Sequence, residues 1–196
     1  VDVATLSTRQ PLRQAVLPAE LRVYRVQLPA PRPGSVVIGP LILPPPGLLA
    51  CRYDLPSQPV GYFGLQDLTA IYETLARRDS VAIALAIVQA RVLLAARLAT
   101  TGLRIADLRP HASHWPVLQA ARYAPSQSLA ADLQRLGYDG ALYLAAQHPV
   151  RDCLALFGAA NAAVAGAAVL PLYDAVTSRL HRGVVDAAVG TQLPVV

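Results

Sequence analysis

Four side chains in the first 73 residues have types that suit dinucleotide chemistry: Arg25, Arg52, Tyr62 and Glu73. Two guanidinium groups can clamp a pyrophosphate through planar, paired donors. A tyrosine ring can stack on a heterocycle. A carboxylate can hold a ribose hydroxyl and stabilise an oxocarbenium-like centre. Each also has an ordinary role. The arginines could pair with surface acids, Tyr62 could belong to the core, and Glu73 could be a solvated helix residue. Residue type alone does not choose between these.

The elements that would carry these groups are readable from periodicity. Residues 52–73 read as a turn, a short strand ending near Tyr62 and Phe63, a tight turn at Gly64, and an amphipathic helix. Leu65, Leu68, Ile71, Tyr72 and Leu75 recur at helical spacing. Glu73 sits one residue beyond that stripe, and Asp67 suits the positive end of the helix. A strand leading straight into a helix borders a crevice where ligands often bind. Residues 21–28 alternate as a strand that places Arg25 on one face with Leu21, Val23 and Gln27.

The remaining segments supply the other walls. Residues 1–20 read as an irregular arm broken by Pro11 and Pro18, and residues 29–47 as a Pro/Gly loop with a short strand at 36–38. Arg77, Arg78 and Asp79 mark a polar helix end. Residues 80–91 have helical length, while 92–98 and 103–108 read as strands. A Pro-flanked loop over 110–116 carries His111, His114 and Trp115, with both histidines expected at the surface. Ser126 reads as the N-cap of a helix over 127–136 with Leu129, Leu133 and Leu136 inward, ended by Gly137. Residues 141–145 and 153–157 are core strands, and 158–190 reads as mostly helical and Ala-rich. Strands interspersed with helices predict one α/β or α+β domain.

Composition narrows the function classes. The chain has 196 residues, 54% hydrophobic and 15% charged, which argues against disorder. Its net charge of +5 comes from scattered basic residues without a Lys/Arg block, so direct nucleic-acid binding is not expected. Cys51 and Cys153 lie in no C-x-x-C motif and read as reduced thiols in a cytosolic protein. Metal-ligand spacing, G-x-G-x-x-G, the P-loop and G-x-S-x-G are absent from the sequence. Residues 154–173 are uncharged over a membrane-span length, but their Ala and Gly content argues against a span. The chain opens on Val and has no Met, and so reads as a trimmed or excised segment.

The order of short motifs resembles the RES-domain family of bacterial NAD-degrading toxins. Tyr24-Arg25-Val26 stands at the first strand and Arg52-Tyr53 follows. Tyr62 closes a strand and Glu73 comes eleven residues later. Ser126-Gln127, Gly137-Tyr138-Asp139-Gly140 and Leu154-Ala155-Leu156-Phe157 complete the series. The sequence departs from the pattern at Val26, where a second tyrosine is frequent. It departs again at Leu144-Ala145-Ala146, where many members carry Pro-Ser or Arg-Ser.

The resemblance implies a single domain similar to ADP-ribosyltransferase toxins, with mixed or antiparallel sheets, flanking helices and an NAD cleft. The RES-like region would span 18–158, preceded by the arm at 1–20. An Ala-rich helical extension over 159–196 would pack on the same domain. NAD would be substrate, without a metal. Arg25 and Arg52 would bind phosphates, Tyr62 would lie on or near nicotinamide, Glu73 would stabilise the ribosyl cation, and Ser126 would position a ribose or phosphate. The acceptor would be water, inorganic phosphate or a protein side chain. A neutralising antitoxin or immunity protein is the expected partner, and the cytoplasm, of the producing or of a target cell, the expected location. The alternatives are an ADP-ribosyltransferase acting on a protein, or a silent NAD-binding or protein-contact module on the same fold.

Overall fold

Alternating apolar runs pair into one central sheet. The computed structural model describes residues 1–77, 80–120, 122–148 and 150–196. Its elements run α1 (Val3–Ser7), β1 (Arg13–Gln14), β2 (Glu20–Gln27), β3 (Val36–Ile38), β4 (Leu41–Leu43), β5 (Val60–Gly64), α2 (Asp67–Leu75), α3 (Leu85–Gln89), β6 (Val92–Ala99) and β7 (Ile105–Asp107). After 3-10 turns at Arg109–His111 and Pro116–Gln119 come α4 (Ala124–Arg135), β8 (Gly140–Leu144), β9 (Asp152–Phe157) and a third 3-10 turn, Gly158–Ala163. The chain ends with β10 (Val164–Pro171), β11 (Tyr173–Asp174), β12 (Arg179–Leu180) and α5 (Arg182–Thr191). Among the described residues, the main sheet has the order β1-β7-β8-β9-β5-β2-β6-β10. Its β7–β8 pair is parallel and its other pairs are antiparallel. This is the expected mixed α/β domain with flanking helices.

Strand alternation distributes the core. Leu142, Leu154 and Leu156 pack with Val23, Leu41, Leu43 and Leu94 under the β3–β4 hairpin. Their neighbours Ala141, Tyr143 and Ala155 pack with Leu129 and Leu133 of α4, as period-two strands require. A third cluster joins Ile71 and Leu75 of α2 to Val184 and Ala187 of α5.

The sheet is not continuous at its centre. β2 pairs β6 over its whole length, from Glu20↔Ala99 to Gln27↔Val92, and β5 pairs β9 from Val60↔Phe157 to Gly64↔Cys153. Between β2 and β5 the paired register is Tyr24↔Gly64 alone. Beyond that point the strands part and leave a notch. A backbone carbonyl deprived of its ladder partner needs another donor. The Tyr62 carbonyl finds one in Arg25, whose Nη1 donates to it at 3.0 Å.

Several segments differ from the sequence expectation. The arm at 1–20 is structured. Asp2 caps α1 by accepting from the Thr5 N–H at 2.7 Å, Leu6 is fully buried, and β1 joins the sheet edge. The helix expected over 80–91 shrinks to α3. Ile83 is drawn into a parallel bridge with Val195, its N–H donating to the Pro194 carbonyl at 2.8 Å. Residues 158–190, and the proposed helical extension 159–196, are not mainly helical. The free edge of β6 recruits β10, from Val164↔Leu98 to Pro171↔Val92, with a register shift after Ala165 near Gly166, whose φ is +59°. No helix among the described residues is long and apolar enough to cross a membrane. His111 is buried, not exposed, because the 109–119 loop curls into 3-10 turns that turn it inward. Leu136 lies past the end of α4 and is 44% exposed, whereas Leu129 and Leu133 are buried as expected. The polar helix end called at Arg78 and Asp79 lies outside the described residues.

Candidate functional site

The notch between β2 and β5 opens into a cavity of about 330 Å³. Arg25, Arg52, Tyr62 and Glu73 all line it. Local backbone geometry puts Tyr62 and Glu73 on the same space. A Cβ at Gly64 would meet the Ala70 nitrogen at 2.6 Å and the Gln66 carbonyl oxygen at 2.8 Å, so glycine lets β5 run directly into α2. The buried side of α2 carries Ile71, Tyr72 and Leu75, which leaves Glu73 half-buried at the cavity wall. The helix is backed by α5 at close range. A Cβ at Gly190 would lie 2.0 Å from the Tyr72 hydroxyl.

The four side chains are held in different ways. Arg25 spends Nη1 on the Tyr62 carbonyl, while its Nε is buried with no hydrogen-bond partner. Burial disfavours its charged form and holds its pKa below the ordinary arginine value. Arg52 is buried and donates from Nη1 to the carbonyls of Leu118 and Ala120, both at 2.8 Å. Its guanidinium carbon lies 5.6 Å from the centre of the Tyr123 ring. The Tyr62 hydroxyl accepts from the Tyr53 N–H at 2.9 Å and donates to Asp54 Oδ1 at 2.8 Å. Burial, reinforced by the Asp54 carboxylate, pushes the Tyr62 pKa well up, so the phenol stays neutral.

Among the described residues that line the cavity, Glu73 is the acid. Burial pushes its pKa up, opposed by the Gln147 N–H, which donates to Oε1, and by the charge of Arg52. The result is a desolvated carboxylate that feels the charge of Arg52. Such a group gains most when positive charge develops beside it.

Ser126 is not brought to this cavity. The helix starts earlier than its Ser-Gln pair suggested, with Tyr123 at the N-cap and Pro125 in the first turn. Ser126 is fully buried within that turn and its Oγ donates to the Tyr123 carbonyl at 3.0 Å. Its neighbour Gln127 does serve the site. Nε2 donates to the carbonyls of Leu49 and Cys51, both at 2.9 Å, and so fixes the approach to Arg52.

Gln147 was missed from the sequence. It lies just past the segment where the family pattern has its Pro-Ser or Arg-Ser, three residues after β8. Its backbone N–H donates to Glu73 Oε1, and the residue lines the cavity. Next to it, the His148 ring stacks on Tyr72 with centroids 4.4 Å apart, and His148 Nδ1 lies 3.0 Å from Thr69 Oγ1. Arg91, and Cys51 which the sequence marked only as a reduced thiol, also line the cavity. For Cys51, burial pushes the thiol pKa up to about 11, which makes it a poor nucleophile.

Comparison with known proteins bears on the family and the fold. A family model described as the RES domain matches residues 22–178, reaching past residue 158 through β10 and β11. The fold is similar to that of MbcT in the crystal structure of the M. tuberculosis MbcT–MbcA toxin–antitoxin complex. The TM-score is 0.58 at 14% identity, covering 86% of this chain and 91% of that one. No curated protein matches the sequence.

Proposed function

The chain belongs to the RES-domain family, and from that premise we propose that it is a toxin that cleaves the nicotinamide–ribose bond of NAD. The observation that carries this reading is the gathering of Arg25, Arg52, Tyr62 and the desolvated Glu73 around one cavity. Arg25, with an unpartnered Nε, is the better placed phosphate ligand. Arg52 adds positive charge from a fixed wall, and the Tyr62 ring offers a face beside the nicotinamide.

When the C1′–N bond breaks, its electron pair stays with the pyridinium nitrogen, and nicotinamide leaves neutral. Positive charge passes to the ribose, where the Glu73 carboxylate stabilises it. Water or inorganic phosphate then bonds to C1′. Water gives up a proton and yields ADP-ribose, and phosphate yields the phosphorylated sugar. A protein side chain as acceptor would make the enzyme an ADP-ribosyltransferase. The similar MbcT is described in complex with an antitoxin, and a neutralising partner of that kind is proposed here also.

The test is incubation of the purified chain with NAD, with and without phosphate, followed by mass analysis. Nicotinamide release is expected, with phosphate dependence identifying the acceptor. Raised melting temperature with NAD but no release would make the chain a silent binder. Expression in bacteria without growth arrest or NAD loss would count against a toxin.

A further inference from the structure

The Gln147 N–H holds Glu73, but its side chain has no part in the bond cleavage described above, and it carries an unsatisfied acceptor on a residue of the cavity lining. Its Oε1 is buried and has no hydrogen-bond partner. Buried polar atoms are nearly always paired, so an orphan on a residue that lines a cavity points to a ligand donor. The segment is also fixed in place. The Gln147 N–H is bonded to the Glu73 carboxylate, the Ala145 N–H donates to the Arg151 carbonyl at 2.7 Å, and His148 is clasped by Tyr72 and Thr69. The amide therefore projects from a held backbone, beginning where Glu73 would meet the ribose.

We propose that Gln147 is a specificity-determining residue that reads the carboxamide of the nicotinamide, with Oε1 accepting from the carboxamide N–H. This rests on the NAD reading above. The ribose hydroxyls can donate to Glu73, which needs donors of its own. On the leaving group, the carboxamide is the part that offers an N–H. A carboxylate in its place has no proton to give at neutral pH, and it would set a negative charge against the Gln147 oxygen and near Glu73. An acceptor left without a donor in a buried site penalises the wrong ligand more strongly than it rewards the right one.

The test compares NAD with nicotinic acid adenine dinucleotide, on the wild-type chain and on Gln147→Leu. It reads the ratio of Kd, or of kcat/KM where the ligands turn over. Wild type is expected to prefer NAD by roughly 10- to 100-fold, and Gln147→Leu to lose most of that preference while melting normally. Gln147→Met replaces it if the leucine variant fails to fold. An unchanged ratio in a folded variant overturns the assignment, as does a wild type that binds both ligands equally. A wild type that neither binds nor cleaves NAD overturns the NAD reading and this one together. Binding of NAD without cleavage leaves the Kd ratio as the deciding measurement.

Discussion

Two walls of the cavity contrast in how completely their polar atoms are satisfied. Apart from the Tyr53 hydroxyl, which is buried without a partner, the wall from Cys51 to Tyr62 is closed on itself. Arg52 grips two carbonyls, Tyr62 bridges the Tyr53 N–H and Asp54, and Asp54 accepts from the Cys51 N–H at 2.7 Å. A second group of lining residues, joined to the first where Arg25 donates to the Tyr62 carbonyl, combines Arg25, Glu73 and Gln147. Here Arg25 Nε and Gln147 Oε1 are buried without partners, and Glu73 is desolvated. Residues of the same type thus do different things. Arg25 and Arg52 look equivalent in sequence, but hydrogen-bond accounting makes Arg52 a fixed part of the scaffold and leaves Arg25 with a donor to offer.

The largest expected effect lies on the unsatisfied wall. Glu73→Gln keeps the shape and an acceptor for the Gln147 N–H but removes the charge. Nicotinamide release should fall by about 10²–10³-fold, with NAD binding and melting near normal. Wild-type rates in this variant would sink the catalytic assignment. Unfolding would show that Glu73 belongs with the scaffold.

Arg52→Lys probes the closed wall. An ammonium cannot span the Leu118 and Ala120 carbonyls while lying over Tyr123. Stability should fall by about 1–3 kcal/mol, and NAD affinity should weaken with it. Arg25→Lys should weaken NAD binding with a smaller loss of stability. If the two variants exchanged these phenotypes, the contrast between the walls would be reversed.

Tyr62→Phe should show a smaller effect on the reaction than either arginine variant. The ring remains, but the Tyr53 N–H and Asp54 Oδ1 lose their shared partner. A stability loss of about 1–2 kcal/mol with largely retained nicotinamide release is expected by thermal melting and product assay. A collapse of turnover at unchanged stability would give the hydroxyl a chemical role.

The sequence revealed the positions of β2, β5, β9 and α2 because their apolar periods are undisturbed, and because Gly64 punctuates strand and helix. The same clarity brought Arg25, Arg52, Tyr62 and Glu73 together. It failed at β10, whose Ala- and Gly-rich residues carry little preference of their own. The open edge of β6, far earlier in the chain, decides their state. It failed at Ser126, where Pro125 starts the helix a turn sooner than the serine suggested. Gln147 was invisible because its significance arises from a bond to Glu73, 74 residues away in the chain.

The smallest effect separates the walls by pH. Burial, then the charge of Arg151, holds the His148 pKa below its ordinary 6.5, so the fold favours the neutral ring. The unfolded chain then binds a proton more readily. The contribution of His148 is fully present above pH 6.5 and is lost as pH falls from there through the folded pKa. Glu73 acts in the opposite sense. Burial raises its pKa above 4.5, so stability falls as pH rises from 4.5 through the raised value. Both groups belong to the unsatisfied wall and its clasp, whereas Tyr62 on the closed wall stays neutral across this range. Melting curves between pH 4.5 and 7.5 should therefore show His148→Phe losing less stability than wild type on acidification below 6.5. The phenyl ring keeps the stack on Tyr72 and cannot protonate. Glu73→Gln should gain less than wild type as pH approaches 4.5. Parallel pH profiles for all three proteins would mean that neither group titrates with folding, and that the two walls do not differ in this respect.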